Sequence, residues 1–314
     1  MKRSSLFAVT LLSLVVPTTT LAAQVIDLTV HDVGLAIGDK PEMTGLRINY
    51  RDRHLREITG VNLTLWSPYE PATGTVNGLA LGVPLTGAEK INGALIGIFG
   101  GGTDGSLEGI GIGGIGVGAG GEMRGIMLGG VGVGSGGGMT GLSVGGIGVG
   151  SGGSMRGIQL GGIGVGGGGD VTGLSIGGIG VGTGGDATGL LIGGVGVGSG
   201  GTLRGLSIGG IGVGAPALEG VAIGGVGVGG HDVHAIVLTA GYFKVVHDDG
   251  SENERNGYFK GAALATLSNI QGEQHGLVLG LFNYARELHG AQVGLINVSD
   301  NGGHRRVLPL LSVR

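Results

Sequence analysis

The stretch GLSVGGIGVGSGGSMRGIQLGGIGVG, from Gly141 to Gly166, repeats itself after 16 residues and decides the fold. The same register continues on both sides with the consensus G-[LI]-x-[LIV]-G-G-[IV]-G-V-G-x-G-G-x-[MLVA]-[RT]. The units begin at Gly109, Gly125, Gly141, Gly157, Gly173, Gly189 and Gly205. A fixed short period predicts a repeat architecture, in which each unit buries its apolar side chains only by stacking on its neighbours.

Less regular units extend this period beyond the centre. They begin at Gly45, Gly60, Gly78, Gly93, Gly220, Ala235, Gly261, Gly276 and Gly290. The insertion HDDGSENERN interrupts the unit that begins at Ala235. Almost the whole mature chain is therefore about 16 copies of one unit, which predicts a single elongated domain.

Apolar residues alternate within each unit, which predicts an all-β fold. The alternation changes parity at Gly145-Gly146, and a turn there would let the apolar residues on both sides face one interior. The residues predicted to face inward are Leu142, Val144, Ile147, Val149 and Met155. The positions predicted to face outward are Met127, Ser143, Gly148, Gln159, Ser175, Leu191 and Ser207. We therefore expect an elongated β-solenoid of about 16 coils, with 14–18 residues per coil and 16 in the centre.

The composition supports an ordered repeat. The chain has 314 residues, of which 81 are Gly and 7 are Pro, and these do not follow the three-residue period of collagen. Its mean hydropathy of +0.40 and its 13% charged residues also disfavour disorder. The alternative fold is a transmembrane β-barrel, which needs about ten residues of unbroken alternation per strand. The double glycine interrupts that alternation in every unit.

The N-terminus predicts export. Residues 1–23 combine a basic start, an apolar run and small residues before Gln24, which is the layout of a signal peptide. We expect a location in the periplasm, on the outer-membrane surface or outside the cell. The remaining predicted boundaries are an N-terminal cap 24–44, degenerate coils 45–108, regular repeats 109–234, degenerate coils 235–300 with a loop insertion 247–256, and a C-terminal cap 301–314.

Charge limits the partners. Removal of Lys2 and Arg3 would change the formal net charge from −4 to −6, which disfavours nucleic acid and anionic membranes. We expect an unknown protein or glycan surface as partner, with self-association as one option. No nucleic acid and no small-molecule cofactor are predicted.

The residue before each starting glycine forms a column in the stacked coils. In the C-terminal units three histidines of this column each follow an acidic residue by two positions. Because alternate residues of a strand share a face, each acid is expected beside its histidine. The candidate residues are Asp232, His234, Glu273, His275, Glu287 and His289. Their side chains suit a divalent metal or proton-linked behaviour, and His275 is expected next to His289. A solvated polar corner is the favoured interpretation, so no metal site is predicted.

The last units, GLVLGLFNYARELH from Gly276 and GAQVGLINVSD from Gly290, resemble the short G-x-x-[IVL]-G-L-[IF]-N repeat of a family of bacterial surface-repeat proteins. The resemblance covers about 25 residues strictly and about 40 with the unit at Gly261. It implies an exported protein of repetitive β structure and carries no activity or catalytic residues. The central GGIGVG units depart from that repeat.

Three functions compete. The preferred one is a non-enzymatic envelope protein that acts as a rigid scaffold or surface-binding module. The first alternative is a β-helix enzyme acting on polysaccharide, whose site would lie in the acid–His column or at Arg51, Asp52, Arg53 and His54. The favoured interpretation of that N-terminal group is a charged, solvated turn, and no catalytic residue is predicted. The second alternative, ice binding, would need regular outward threonine rows.

Overall fold

The computed structural model describes residues 25–247 and 256–314. The predicted signal peptide lies outside these ranges, and only His247 and Asn256 of the predicted insertion lie within them. Throughout the described ranges the ordered elements are β-strands, turns and bends. No helix in this part of the chain could span a membrane.

From Thr75 to Val245 each coil contributes one long and one short strand. In chain order they are β1 (Ile26–Val30), β2 (Val33–Ile37), β3 (Glu42–Asn49), β4 (Glu57–Thr64), β5 (Thr75–Gly82), β6 (Leu85–Ala88), β7 (Lys90–Gly97), β8 (Gly100–Thr103), β9 (Leu107–Gly113), β10 (Gly116–Ala119), β11 (Met123–Gly129), β12 (Gly132–Ser135), β13 (Met139–Gly145), β14 (Gly148–Ser151), β15 (Met155–Gly161), β16 (Gly164–Gly167), β17 (Val171–Gly177), β18 (Gly180–Thr183), β19 (Ala187–Gly193), β20 (Gly196–Ser199), β21 (Thr202–Gly209), β22 (Gly212–Gly214), β23 (Ala217–Gly224), β24 (Gly227–Gly230), β25 (Asp232–Thr239), β26 (Tyr242–Val245), β27 (Gly257–Leu264), β28 (Leu267–Leu279), β29 (Phe282–Leu288), β30 (Ala291–Asn301) and β31 (His304–Val313).

Equivalent positions of successive coils pair in parallel. In the long strands Gly125 pairs with Gly141 and Gly141 with Gly157, and the short strands pair with the same 16-residue offset. This register confirms the predicted β-solenoid of about 16 coils. The barrel alternative is wrong, because a transmembrane barrel is built from antiparallel neighbours. Antiparallel pairing occurs in the described residues only at the two ends, between β1 and β2 and between β30 and β31.

The starting glycine of each unit bends the long strand. Gly141 has φ 120°, a backbone conformation that other residues rarely adopt. A Cβ atom on Gly141 would lie 2.0 Å from the carbonyl oxygen of Gly125 in the coil below. Both the bend and the close stacking therefore require glycine at this position.

The predicted orientation of several side chains is wrong. Met155 and Val149 face the interior as expected, but Gln159 and Ser143, which were predicted to face outward, are buried as well. Leu142 and Val144 lie half-buried on the outer side, and Ile147 is 51% exposed. The two apolar pairs therefore do not share one interior.

The reason is that the long strand keeps a single alternation across its glycine bend. Strand β15 places Met155, Gln159 and Gly161 inward, and it places Arg156, Ile158 and Leu160 outward. Because the charged residue must reach water, the two aliphatic residues that follow it in the same phase also point out. Gly161 completes the inner row, where a Cβ would lie 2.0 Å from the oxygen of Gly164.

The interior contains a column in which small residues alternate with large ones. The third residue of successive units, in register from coil to coil, is Gly111, Met127, Ser143, Gln159, Ser175, Leu191 and Ser207. All of them are buried. Large side chains thus extend over the small residue of a neighbouring coil: a Cβ on Gly111 would lie 2.9 Å from the sulfur of Met127.

Candidate functional site

Exposed aliphatic side chains form a continuous surface on the central coils. We number the starting glycine of each unit as position 1 and define the apolar face as positions 2, 4 and 7 of the units from Gly109 to Ala235. Position 7 is the most exposed and comprises Ile115, Val131, Ile147, Ile163, Ile179, Val195, Ile211 and Val226. Nine stacked coils at about 4.8 Å each make this face about 40 Å long.

Charged residues of the central coils are absent from the apolar face. Between Gly109 and Gly214 they occupy only positions 14 and 16, on the other side of the glycine bend. They are Glu122, Arg124, Arg156, Asp170, Asp186 and Arg204. Arg204 contacts Asp186 at 3.1 Å and Glu219 at 2.9 Å, so part of this charge is neutralised along the edge. The cross-section of the solenoid is therefore amphipathic.

The outer side of the short strand is a separate surface lined by glycines. At positions 8 and 10 they flank an inward valine, so their outer side is bare backbone. A Cβ on Gly134 or Gly182 would meet no atom within 4 Å, and neither residue has a positive φ. The coil itself does not require glycine at these two positions. A flat backbone surface of this kind permits close approach of another surface.

The acid–His column forms as the parallel register predicts. The rings of His275 and His289 stack with centroids 4.8 Å apart and an angle of 18° between their planes. His275 Nε2 lies 3.0 Å from Glu273 Oε2, and His289 Nε2 lies 3.8 Å from Glu287 Oε2. The potential ligand atoms of Glu273, His275 and His289 all lie within 4.8 Å of one another. All four side chains are half-exposed.

Asp232 and His234 lie apart from that group. They contact each other at 3.3 Å. The next coil, with Tyr258 and Lys260 at the equivalent positions, separates them from Glu273 and His275. The six candidate residues are thus one group of four and one separate pair.

The N-terminal charged segment is only partly a solvated turn. His54 is exposed as expected, and the guanidinium groups of Arg51 and Arg53 lie over the Tyr69 ring, 3.6 and 4.4 Å from its centroid. Asp52, however, is buried, so the prediction for this residue is wrong. It forms an ion pair with Arg47, which is itself fully buried. Because a buried carboxylate needs partners, the short turn folds inward over the first coils.

Asp52 is the centre of a buried polar network that sequence reasoning missed. Thr64 Oγ1 and Asn49 Nδ2 donate to its carboxylate at 2.7 and 2.9 Å. Arg47 also donates to Asn62 at 2.9 Å and contacts Asp39 at 2.7 Å. Burial alone would raise the pKa of Asp52, but the charge of Arg47 and these hydrogen bonds outweigh it and lower the pKa. Arg47 and Asn62 occupy the third position of their units, which was predicted to face outward, so polar residues there carried no signal of burial.

No family model, no curated protein and no solved structure matches this chain. The resemblance of the C-terminal units to bacterial surface-repeat proteins stays a prediction.

Proposed function

We propose that this chain is an exported, non-enzymatic structural protein of the bacterial envelope that binds a second copy of itself through the apolar face. The observation that carries the proposal is the set of three uncharged aliphatic columns, with positions 2 and 4 exposed or half-buried in nine coils and position 7 exposed in eight. Burial of apolar surface is the main driving force of protein association. Exposure of this apolar face to water is therefore unfavourable for the free chain, and its burial in an interface would remove that free-energy penalty.

The regularity of the face favours a second copy as its occupant. Its side chains recur at the spacing of the coils, so a partner must present apolar groups at the same spacing to fill the gaps between them. An identical face turned through 180° does so, and closed two-fold dimers are the commonest symmetric assembly. Two sheets can pack face to face at about 10 Å. The apolar face also carries no charge that would repel its copy.

The distribution of titratable groups supports a non-enzymatic role. Hydrolysis or elimination on polysaccharide needs at least an acid and a base on one face. The units from Gly109 to Gly214 contain three acids and no histidine. Turnover of a defined polysaccharide by the purified protein, abolished by a point substitution, would overturn this part of the proposal.

Export rests on the leader-like residues 1–23. The intact mass of the protein purified from its own envelope should match a chain beginning near Gln24. Surface protease should remove it from whole cells, or it should be recovered from the periplasm or the medium. A full-length chain in the cytoplasm would contradict export without touching the self-association.

Self-association is tested with two matched double variants of the mature chain. Ile163→Glu with Ile179→Glu places two charges on position 7 of the apolar face. Thr172→Glu with Thr188→Glu places the same charges on the exposed polar edge at position 16 of neighbouring coils. We expect sedimentation equilibrium to give a dimer for the wild type and for the threonine variant, and a monomer for the isoleucine variant.

Two results would overturn the choice of a second copy. One is a wild-type chain that stays monomeric at about 100 μM, a concentration at which a dimer with a dissociation constant of about 10 μM or below is mostly associated. The other is an isoleucine variant that associates as strongly as the threonine variant. Binding of the wild type, but not of the isoleucine variant, to lipid vesicles or to glycan beads would assign the apolar face to that partner instead. Thermal unfolding of both variants checks that the coils remain folded.

A further inference from the structure

We propose that Glu273, His275 and His289 form a binding site for a divalent transition-metal ion, with Zn²⁺ as the expected metal. This inference is independent of self-association, because the site lies in the C-terminal coils, on the position 14 and 16 columns and away from positions 2, 4 and 7.

The fold itself brings the three ligands together. Parallel pairing sets His275 beside His289 in the next coil, and strand alternation sets Glu273 on the same face, two residues before His275. Zinc binds imidazole nitrogen and carboxylate oxygen at about 2.0–2.2 Å, so ligands around one ion lie roughly 3.3–3.5 Å apart. The present separations of up to 4.8 Å close by rotation of half-exposed side chains, with no change in the strands.

The charge of the column favours a cation at this place. Glu273 and Glu287 occupy equivalent positions of adjacent coils, so two carboxylates stack directly on one another. Like charges in such a pair are unfavourable, and a cation beside them removes that cost. Glu287 lies next to His289 and is the available fourth ligand, with water as the alternative. Lys260 precedes His275 in the same column, and it is the one cationic side chain adjacent to the group in that column of the described coils.

The donor set selects the class of metal. Two imidazoles with carboxylates suit Zn²⁺, Cu²⁺ or Ni²⁺, whereas Ca²⁺ and Mg²⁺ prefer oxygen ligands throughout. Three protein ligands with an open fourth position are the arrangement of zinc sites that hold a water molecule.

The test is calorimetric titration of ZnCl₂ into the untagged mature protein, with Co²⁺ absorption as a report of ligand geometry. We expect one ion per chain with a dissociation constant in the micromolar range or below. His275→Asn and His289→Asn should each weaken binding at least tenfold. His234→Asn is the matched control, because His234 also follows an acid, Asp232, by two residues but has Lys260 as its neighbour in the column. It should leave the affinity unchanged.

A second readout separates loss of the site from loss of the fold. Zn²⁺ should raise the unfolding temperature of the wild type and of the His234 variant, because a ligand that binds only the folded state stabilises it. It should not raise that of the His275 variant, whose unfolding temperature without metal should match the wild type. Millimolar or weaker Zn²⁺ binding by the wild type, or equal loss of affinity in all three variants, would overturn the site.

Discussion

Two glycines of the central coils show that glycine has two different roles in this fold. Gly141 occupies the strand bend at φ 120°, with the backbone of the coil below in the place of its missing side chain. Gly134 lies on the outer side of the short strand, with open space around it. The first glycine is needed by the coil itself. The second one is needed only if another surface comes close to the backbone.

This contrast gives a prediction for alanine substitutions. Gly141→Ala should destabilise the coils by about 2 kcal/mol or more, since it adds both a strained backbone and a clash with Gly125. Gly134→Ala should change stability by less than about 0.5 kcal/mol, as surface substitutions usually do. Denaturant unfolding followed by circular dichroism measures both. Equal losses in the two variants would contradict the distinction, and weakened dimerisation in Gly134→Ala alone would support docking on the glycine surface.

At the scale of the strand, the sequence predicts the fold class correctly but not which side of each strand faces the interior. The 16-residue period predicted the parallel register and the stack of His275 on His289, because stacking follows from the period alone. The inward side could not be read from hydrophobicity, since aliphatic residues outnumber the places inside a narrow coil. Arg156 indicates which side of the strand faces outward. Its charge must reach water, and Ile158 and Leu160 lie on the same side as Arg156. Burial of Asp52 depends on how a turn folds back, which no period encodes.

The first coils replace part of an apolar core with the network around Asp52. Strands β3 and β4 contribute Arg47 and Asn62, and the turn after β3 contributes Asp52 itself. A buried ion pair of this kind adds little net stability compared with apolar packing. Removal of one partner, however, leaves the other as an unpaired buried charge. The network therefore fixes how the N-terminal turn docks on the stack.

Stability of this end should depend on pH with a defined sign. Because the pKa of Asp52 is lowered on folding, its contribution is complete above the unfolded value of about 3.9 and is lost as pH falls through the folded pKa. Asp52→Asn should lower the opening free energy of residues 39–64 by about 3 kcal/mol at pH 7. The difference from the wild type should shrink below pH 4. Hydrogen exchange of peptides from this region measures it.

The control for this prediction is Glu42→Gln, which removes an exposed carboxylate paired with Arg56 at 3.3 Å. Exposed pairs contribute about 0–1 kcal/mol, so protection of the same peptides should hardly change. A pH-independent effect of Asp52→Asn, or an equal effect of the control, would show that ionisation of Asp52 does not hold this end together.

For the whole molecule, one interior column of the central core repeats every two coils. The alternation of small and large residues in the interior column means that Ser143 lies between Met127 and Gln159, and Ser175 lies between Gln159 and Leu191. Stability of a stacked repeat is approximately the sum of its units and their interfaces. Removal of coils should therefore depend on whether the alternation survives and not only on how many coils remain.

Two deletions with the same Thr–Gly junction test this. Removing residues 141–156 takes out one coil and places Met127 beside Gln159, which overpacks the column at a cost of about 1–3 kcal/mol. Removing residues 141–172 takes out two coils, places Met127 beside Ser175 and keeps the alternation. The two-coil deletion should shorten the rod by about 10 Å in small-angle scattering and still unfold at the same temperature as the one-coil deletion or higher. If the two-coil deletion is clearly less stable than the one-coil deletion, the number of coils determines the stability of the stack. The alternation of small and large residues then makes no measurable contribution to it.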